Sequence, residues 1–163
     1  MAAGDTKLQY ATSTAMTITL ASLATGSARE SDAVDNTSNK YLDALVYLAI
    51  PLQTGSPGSD KLINVYVYGS EDGTNYTDNA TGSNAALTLR SPTNLKQVEA
   101  IFTPDSGALT YKSNPISIAK AFGGVLPRKW GIVVENRTNL TFNATEGNLI
   151  KTYTGVYPNT AAS

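Results

Sequence analysis

Apolar residues along this chain fall in short runs separated by Gly, Pro, Asn, Asp and Ser, and several runs alternate apolar with polar at every second position. That period sends successive side chains to opposite faces of an extended backbone, so the runs predict half-buried strands. Between Ala15 and Leu20, Met16, Ile18 and Leu20 alternate with Thr17 and Thr19. From Ala21 to Lys40 the chain is small and polar, with Asp32, Asp35, Asn36 and Asn39 around Val34. This segment is too long for a hairpin turn and reads as a crossover or surface excursion. Leu42 to Leu52 is the most apolar stretch, unbroken from Leu45 to Ile50, which predicts a central strand covered on both faces. A buried helix would give the same run, but Pro51 and Gly55-Ser56-Pro57-Gly58 favour the strand.

Leu62 to Tyr68 alternates again, with Ile63, Val65 and Val67 on one face and Asn64, Tyr66 and Tyr68 on the other. The aliphatic face belongs in the core, and the tyrosine face suits a loop or a neighbouring subunit. Asp72-Gly73 supplies the positive φ of a tight turn, which predicts a hairpin from this strand to a short one near Tyr76. Further strands are expected at Asn84 to Arg90, at Leu95 to Thr103 with Val98, Ala100 and Phe102 on one side, and at Ile116 to Ala119. Pro104 and Gly107 close the second of these. The last candidates are Trp130 to Glu135, Leu140 to Ala144 and Leu149 to Tyr157. A helical turn or two is conceivable only around Ile118 to Phe122. About eight or nine strands joined by both tight turns and long loops predict an all-β, single-domain β-sandwich of jelly-roll or Greek-key type. Residues 14–157 form the domain, with 1–13 as a flexible N-terminal arm and 158–163 as a flexible C-terminal tail.

The chain has 163 residues, enough to bury a core without disulfide staples, and it contains no cysteine. Twelve basic and thirteen acidic residues give a net charge of −1, which offers no strong attraction to nucleic acid or to an anionic membrane. No apolar stretch is long enough to span a bilayer, and Met1 to Tyr10 lacks the pattern of a signal peptide.

The absence of histidine and cysteine removes the usual nucleophile–base pairs and the preferred transition-metal ligands. No phosphate loop or dinucleotide fingerprint occurs. Glu99 with Glu135 or Asp105 would be the carboxylate pair of a small glycosidase, although a fold with thirteen acids offers such pairs by chance. Glu30 to Asn36, and Glu71, Asp72 and Asp78, carry oxygen ligands that would suit calcium; neither group has EF-hand spacing, and Asp and Asn also cap turns with their own backbone. The expectation is a non-enzymatic protein with no catalytic residues, metal or cofactor. Asn-x-Thr/Ser sequons at Asn36, Asn75, Asn79, Asn136, Asn139 and Asn143 follow from the abundance of Asn and Thr and are not read as glycan sites. Tyrosines dominate the aromatics, and Trp130 reads as a core or corner residue.

The succession Leu23-Ala24-Thr25-Gly26-Ser27-Ala28-Arg29-Glu30-Ser31, Leu45 to Pro51, and Val65-Tyr66-Val67-Tyr68-Gly69-Ser70-Glu71-Asp72-Gly73-Thr74-Asn75-Tyr76 resembles small structural proteins of tailed bacteriophages. It is similar to those that decorate or cement the capsid, and Trp130 to Asn136 and Tyr153 to Tyr157 extend the likeness. The resemblance implies a jelly-roll subunit on the capsid surface of the virion, made in the host cytoplasm. It would bind the major capsid protein and stabilise the shell by bridging its subunits, as a homo-oligomer, dimer or trimer. The loop Arg29 to Asn39 and the N-terminal arm are the expected contacts, with Arg29, Glu30, Asp32, Asp35, Asn36, Tyr66 and Tyr68 as partner-binding residues. The Asp-Gly-Thr-Asn-Tyr turn also resembles hairpins of carbohydrate-binding sandwiches. The alternative is therefore a carbohydrate- or receptor-binding module of a phage tail or fibre, with Tyr66, Tyr68 and Trp130 as platforms.

Overall fold

The computed structural model describes residues 6–58, 60–104 and 109–160. Among them, twelve strands form two antiparallel six-stranded sheets, which pack as a β-sandwich. Sheet A holds β1 (Thr6–Tyr10), β2 (Thr14–Ala15), β5 (Asp43–Pro51), β9 (Thr110–Lys112), β10 (Ile116–Ser117) and β12 (Ile150–Thr160). Sheet B holds β3 (Ala28–Glu30), β4 (Val34–Asp35), β6 (Leu62–Ser70), β7 (Ala85–Leu87), β8 (Lys96–Phe102) and β11 (Lys129–Arg137). Three of these strands are split: β1 and β2 both pair with β12, β3 and β4 both with β11, and β9 and β10 both with β5. With each split pair joined and β7 set aside, the two four-stranded orders are those of a jelly roll, two interlocked Greek keys.

The core lies between the sheets. Val46, Leu48 and Ile50 of β5 meet Ile63, Val65 and Val67 of β6 and Trp130, Ile132 and Val134 of β11, all buried. The aliphatic face expected for the Leu62 segment is thus in the core. Trp130 is fully enclosed, with its ring edge-on to Tyr153 at 5.4 Å.

Several segments depart from expectation for identifiable reasons. Met16, Ile18 and Leu20 are buried and Thr17 and Thr19 exposed, as the alternation requires, yet only Thr14–Ala15 forms ladder. Met16 N–H still donates to Lys151 O and Thr17 O accepts from Asp32 N–H, but beyond them Asn84 Oδ1 accepts from Thr19 N–H, and Glu146 Oε2 accepts from the N–H groups of Leu20 and Ala21. The polar stretch 21–40 carries two short strands, β3 and β4, as it crosses from sheet A to sheet B. The turn after β6 forms, with Gly73 at φ 77°, but it leads to no strand near Tyr76; β6 pairs with β11 and β8. A bulge between Val65 and Tyr66 shifts the register of β8 at Val98, so the expected Val98, Ala100, Phe102 face is split: Val98 packs on the core, whereas beyond it Ile101 is buried and Phe102 exposed. Leu140 to Ala144 contributes one bridge, Phe142 to Leu52, before a 3-10 turn at Glu146–Asn148. The segment 119–122 is a single 3-10 turn.

Thr6–Tyr10, within the expected N-terminal arm, pairs with Val156–Thr160, and all five residues of β1 are exposed. Residues 1–5 of that arm, residues 161–163 of the expected tail, Gly107 and Asp105 lie outside the described residues.

Candidate interaction surface

The seven residues expected to contact a partner separate into two groups. Most belong to the apparatus that fastens the excursion between β6 and β8, residues 71–95, over the outer face of sheet B. Glu30 is 1% exposed and accepts from Thr81 N–H, Thr81 Oγ1–H and Gly82 N–H. Arg29 donates to Asn84 Oδ1 and Asn84 O, and Asp32 accepts from Asn84 N–H at 2.5 Å. Tyr68 is fully buried with its hydroxyl on Ser31 O at 2.6 Å, beneath Leu87, Leu95 and Val133 in a second apolar cluster. Tyr76 packs on it edge-on at 5.7 Å. Burial holds the Tyr68 hydroxyl well above the usual phenol range, with the Glu30 charge adding to the shift. Tyr66 is half-buried and donates to Glu135 Oε2 at 3.2 Å; burial first, and the Glu135 carboxylate second, raise its pKa.

The other group serves a turn. Asp35 accepts from Thr37 N–H and Oγ1–H, bonds that lower its pKa. Asn36 is buried and closes the loop by bonding both N–H and C=O of Tyr41. Glu30, Asn36 and Tyr68 are therefore corrected from partner contacts to internal fasteners, since no partner reaches a buried, fully bonded side chain without undoing the loop. Tyr68 and Trp130 likewise drop out as sugar platforms. Arg29, Asp32, Asp35 and Tyr66 retain some exposure, and of these Arg29, Asp32 and Tyr66 are tied to the same side of the molecule, under or beside the excursion.

Register separates the carboxylates weighed for hydrolysis. Glu99 lies opposite Val65, whose side chain points into the core, and Glu135 opposite Asn64, on the outer face, so the two occupy opposite faces of sheet B. Glu135 is bound by Asn64 and Tyr66 and lies 3.6 Å from the Arg137 guanidinium. No cluster of three or more acidic side chains that would hold a metal occurs among the described residues. Asp72 accepts from Asn75 N–H, Thr74 N–H, Asn75 Nδ2 and Ser70 Oγ, which holds its carboxyl far below the usual range. Asp78 is taken up by Thr93, Asn94 and Arg90 across the base of the excursion. The clefts are shallow and of similar size, about 320 Å3 beside β3 and β7 and about 380 Å3 around Tyr41, Leu42, Val125 and Arg128.

What the structure leaves open is the outer face of sheet A. Along β5, Ala44, Val46, Leu48 and Ile50 point inward, so Leu45 and Tyr47 point out; both are half-buried and belong to neither apolar cluster, and Ala49 on the same face is buried between its neighbours. Register aligns Thr154 with Leu45, Thr152 with Tyr47 and Tyr10 with Val156 on the same outer face. Ile150, 48% exposed, and Leu8 and Tyr10, 64% and 67% exposed, extend the surface. Asp43, also on this face, accepts hydrogen bonds from Ser117 Oγ–H, Ala119 N–H and Ala44 N–H. The result is a surface of Leu, Tyr, Ile and Thr on which Lys112, opposite Ala49, is an exposed charge at the β9 side. The unbroken run Leu45 to Ile50 signalled this in the sequence. It was read as a strand covered on both faces; the fold covers the inner face fully and the outer face in part, burying Ala49 and leaving Leu45 and Tyr47 half-buried.

Comparison with protein-family models, with curated proteins and with solved structures finds no significant match for the chain, so any functional reading stands on its own residues and geometry.

Proposed function

We propose that this protein is a non-enzymatic structural subunit of a virion, a decoration or cement protein that docks the outer face of sheet A onto the capsid and braces neighbouring capsid subunits. One observation carries this reading: the outer face of a central strand that is apolar on both faces is only partly covered, with Leu45 and Tyr47 half-buried and Ile150, Leu8 and Tyr10 exposed on the same side of the sheet. Ile150, Leu8, Tyr10 and the uncovered part of Leu45 and Tyr47 forgo the stabilisation that burial gives, roughly 25 cal/mol per Å2 of apolar surface. An exposed apolar sheet face of this kind is the mark of a docking surface. A flat face suits a broad partner such as a protein shell, whereas a soluble sugar is held in a groove lined by convergent polar groups and a stacking ring. Two of the three aromatic residues that would make such a platform, Tyr68 and Trp130, are buried. Docked over a junction between shell subunits, the face adds buried area to each and raises the cost of removing any one.

The test is reconstitution on capsids that lack the protein, followed by cryo-electron microscopy. Density at icosahedral positions with sheet A toward the shell is the expected result, and the double variant Ile150→Lys, Thr154→Lys should abolish occupancy while remaining folded. Density confined to the tail, or full occupancy by the double variant, would overturn the proposal.

A further inference from the structure

Among the described residues, the β1 edge of sheet A differs from the edges formed by β7, β8 and β9/β10. β7 has three residues, β8 is bulged and begins at Lys96, and the β9/β10 edge is broken into short pieces around Pro115. Each is a known way of discouraging strand addition. β1 has none of them beyond Lys7: it is five residues long, in continuous register with β12, and exposed on both faces.

The direction of its backbone groups follows from the ladder. Ala11 N–H donates to Gly155 O at 2.8 Å, so the odd-numbered residues Ala11, Gln9 and Lys7 spend their backbone bonds on β12. The N–H and C=O groups of Thr6, Leu8 and Tyr10 therefore point to the open edge, and among the described residues no strand pairs with them.

We propose that this edge binds the same edge of a second copy, antiparallel, about a two-fold axis through Leu8. The pairing is self-complementary by sequence. Centred on Leu8, it sets Leu8 against Leu8 and Thr6 against Tyr10, the residues whose backbone groups face outward, so three residue pairs exchange bonds. It is the symmetric register that uses all of them. Side chains agree with backbone: Thr6, Leu8 and Tyr10 of the two copies share one face and cover one another's apolar surface. On the opposite face Lys7 meets Gln9 of the second copy, so no like charges are opposed. Each sandwich lies beyond the Tyr10 end of its own strand, so the two bodies sit on opposite sides of the joint. The axis is perpendicular to the sheet, so both outer faces of sheet A point the same way and merge into one surface twice as broad. The inference concerns the edge and does not depend on what the outer face docks to.

A joint of five residues a side is at the small end of specific interfaces, which sets dissociation at roughly 10 to 100 micromolar. Sedimentation velocity across that range should show monomer passing to dimer. Leu8→Pro removes an N–H that faces only the open edge, a position where edge strands tolerate proline, so it should abolish the dimer and leave thermal unfolding at low concentration unchanged. Because the chain has no cysteine, Leu8→Cys provides an independent readout. Facing residues of a bonded antiparallel pair lie about 5.5 Å apart between Cα atoms, within disulfide range, so mild oxidation should cross-link it far faster than Thr37→Cys on an exposed loop. A wild-type monomer throughout the range, a trimer, a Leu8→Pro dimer as tight as wild type, or equal cross-linking of the two cysteine variants would overturn the proposal. A monomer that still coats capsids would remove the pairing alone, and a dimer that fails to coat them would remove the docking reading alone.

Discussion

The two sheets of this sandwich share a core but treat their outer faces in opposite ways. Over sheet B the chain spends residues 71–95 on a roof, anchored by Glu30 to Thr81 and Gly82 and by Arg29 and Asp32 to Asn84, and beneath it Tyr68 and Val133 are as buried as the main core. Over sheet A the described residues form no comparable excursion, and Leu45 and Tyr47 stay half-buried, although β5 is more uniformly apolar than β6. Hydrophobicity along a strand is thus no guide to which face its own chain will cover. What decides is whether an excursion of sufficient length begins at the right strand end and finds polar anchors to hold it.

Substitutions on the two faces should behave differently. The largest effect is expected for Tyr68→Ala, which empties a packed site and strands the Ser31 carbonyl, costing about 3 to 5 kcal/mol; Tyr47→Ala on the open face should cost far less in the isolated protein. Chemical denaturation of the pair reads the contrast directly, and equal losses would mean that the face of sheet A is covered after all. Glu30→Ala should follow at about 2 to 3 kcal/mol, because it removes a buried charged acceptor that takes three hydrogen bonds from Thr81 and Gly82 of the roof. Limited proteolysis should then cut first within residues 71–95.

Acid should loosen a different set of carboxylate contacts. Burial disfavours the charge on Glu146, but its bonds from Lys151, Ala21 and Leu20 outweigh that and hold its pKa below the ordinary value. Hydrogen bonds to Thr37, to Asn75 and to Thr93 do the same for Asp35, Asp72 and Asp78. Each group binds a proton less readily folded than unfolded, so its contribution is complete above the ordinary carboxylate range and is lost as pH falls through it and below. With no histidine in the chain, thermal stability should be flat from about pH 5 to pH 8 and fall below about pH 4.5. A transition near pH 6.5 would contradict this assignment. The smallest effect on stability, within about 0.5 kcal/mol, is expected for Ile150→Lys on the open face. Its consequence should appear only in docking, which makes it the sharpest separation of folding from function.

Much of the fold was legible along the chain. Alternation placed Ile63, Val65 and Val67 inside, and the long apolar runs became the long central strands β5, β6, β11 and β12. Short strands were missed where polar residues dominate, as in Ala28–Glu30, because there the ladder is stabilised by its neighbours and not by its own side chains. Phe102 was placed on the wrong face because one bulged residue inverts the parity of everything beyond it. The expected contacts in Arg29 to Asn36 are polar residues in a turn-rich segment, and sequence does not distinguish a carboxylate that meets a partner from one that caps the chain's own N–H groups.

The residues by themselves determined an all-β sandwich, its inward-facing positions and the absence of thiol and imidazole chemistry, since these depend on local period and residue type. Tertiary structure alone decided that Glu30 and Tyr68 are sealed under a roof while Leu45 and Tyr47 stay half-buried and the edge of β1 stays open. Burial of an outer face depends on which distant segment crosses it, and that long-range pairing leaves no periodic trace in the segment being covered.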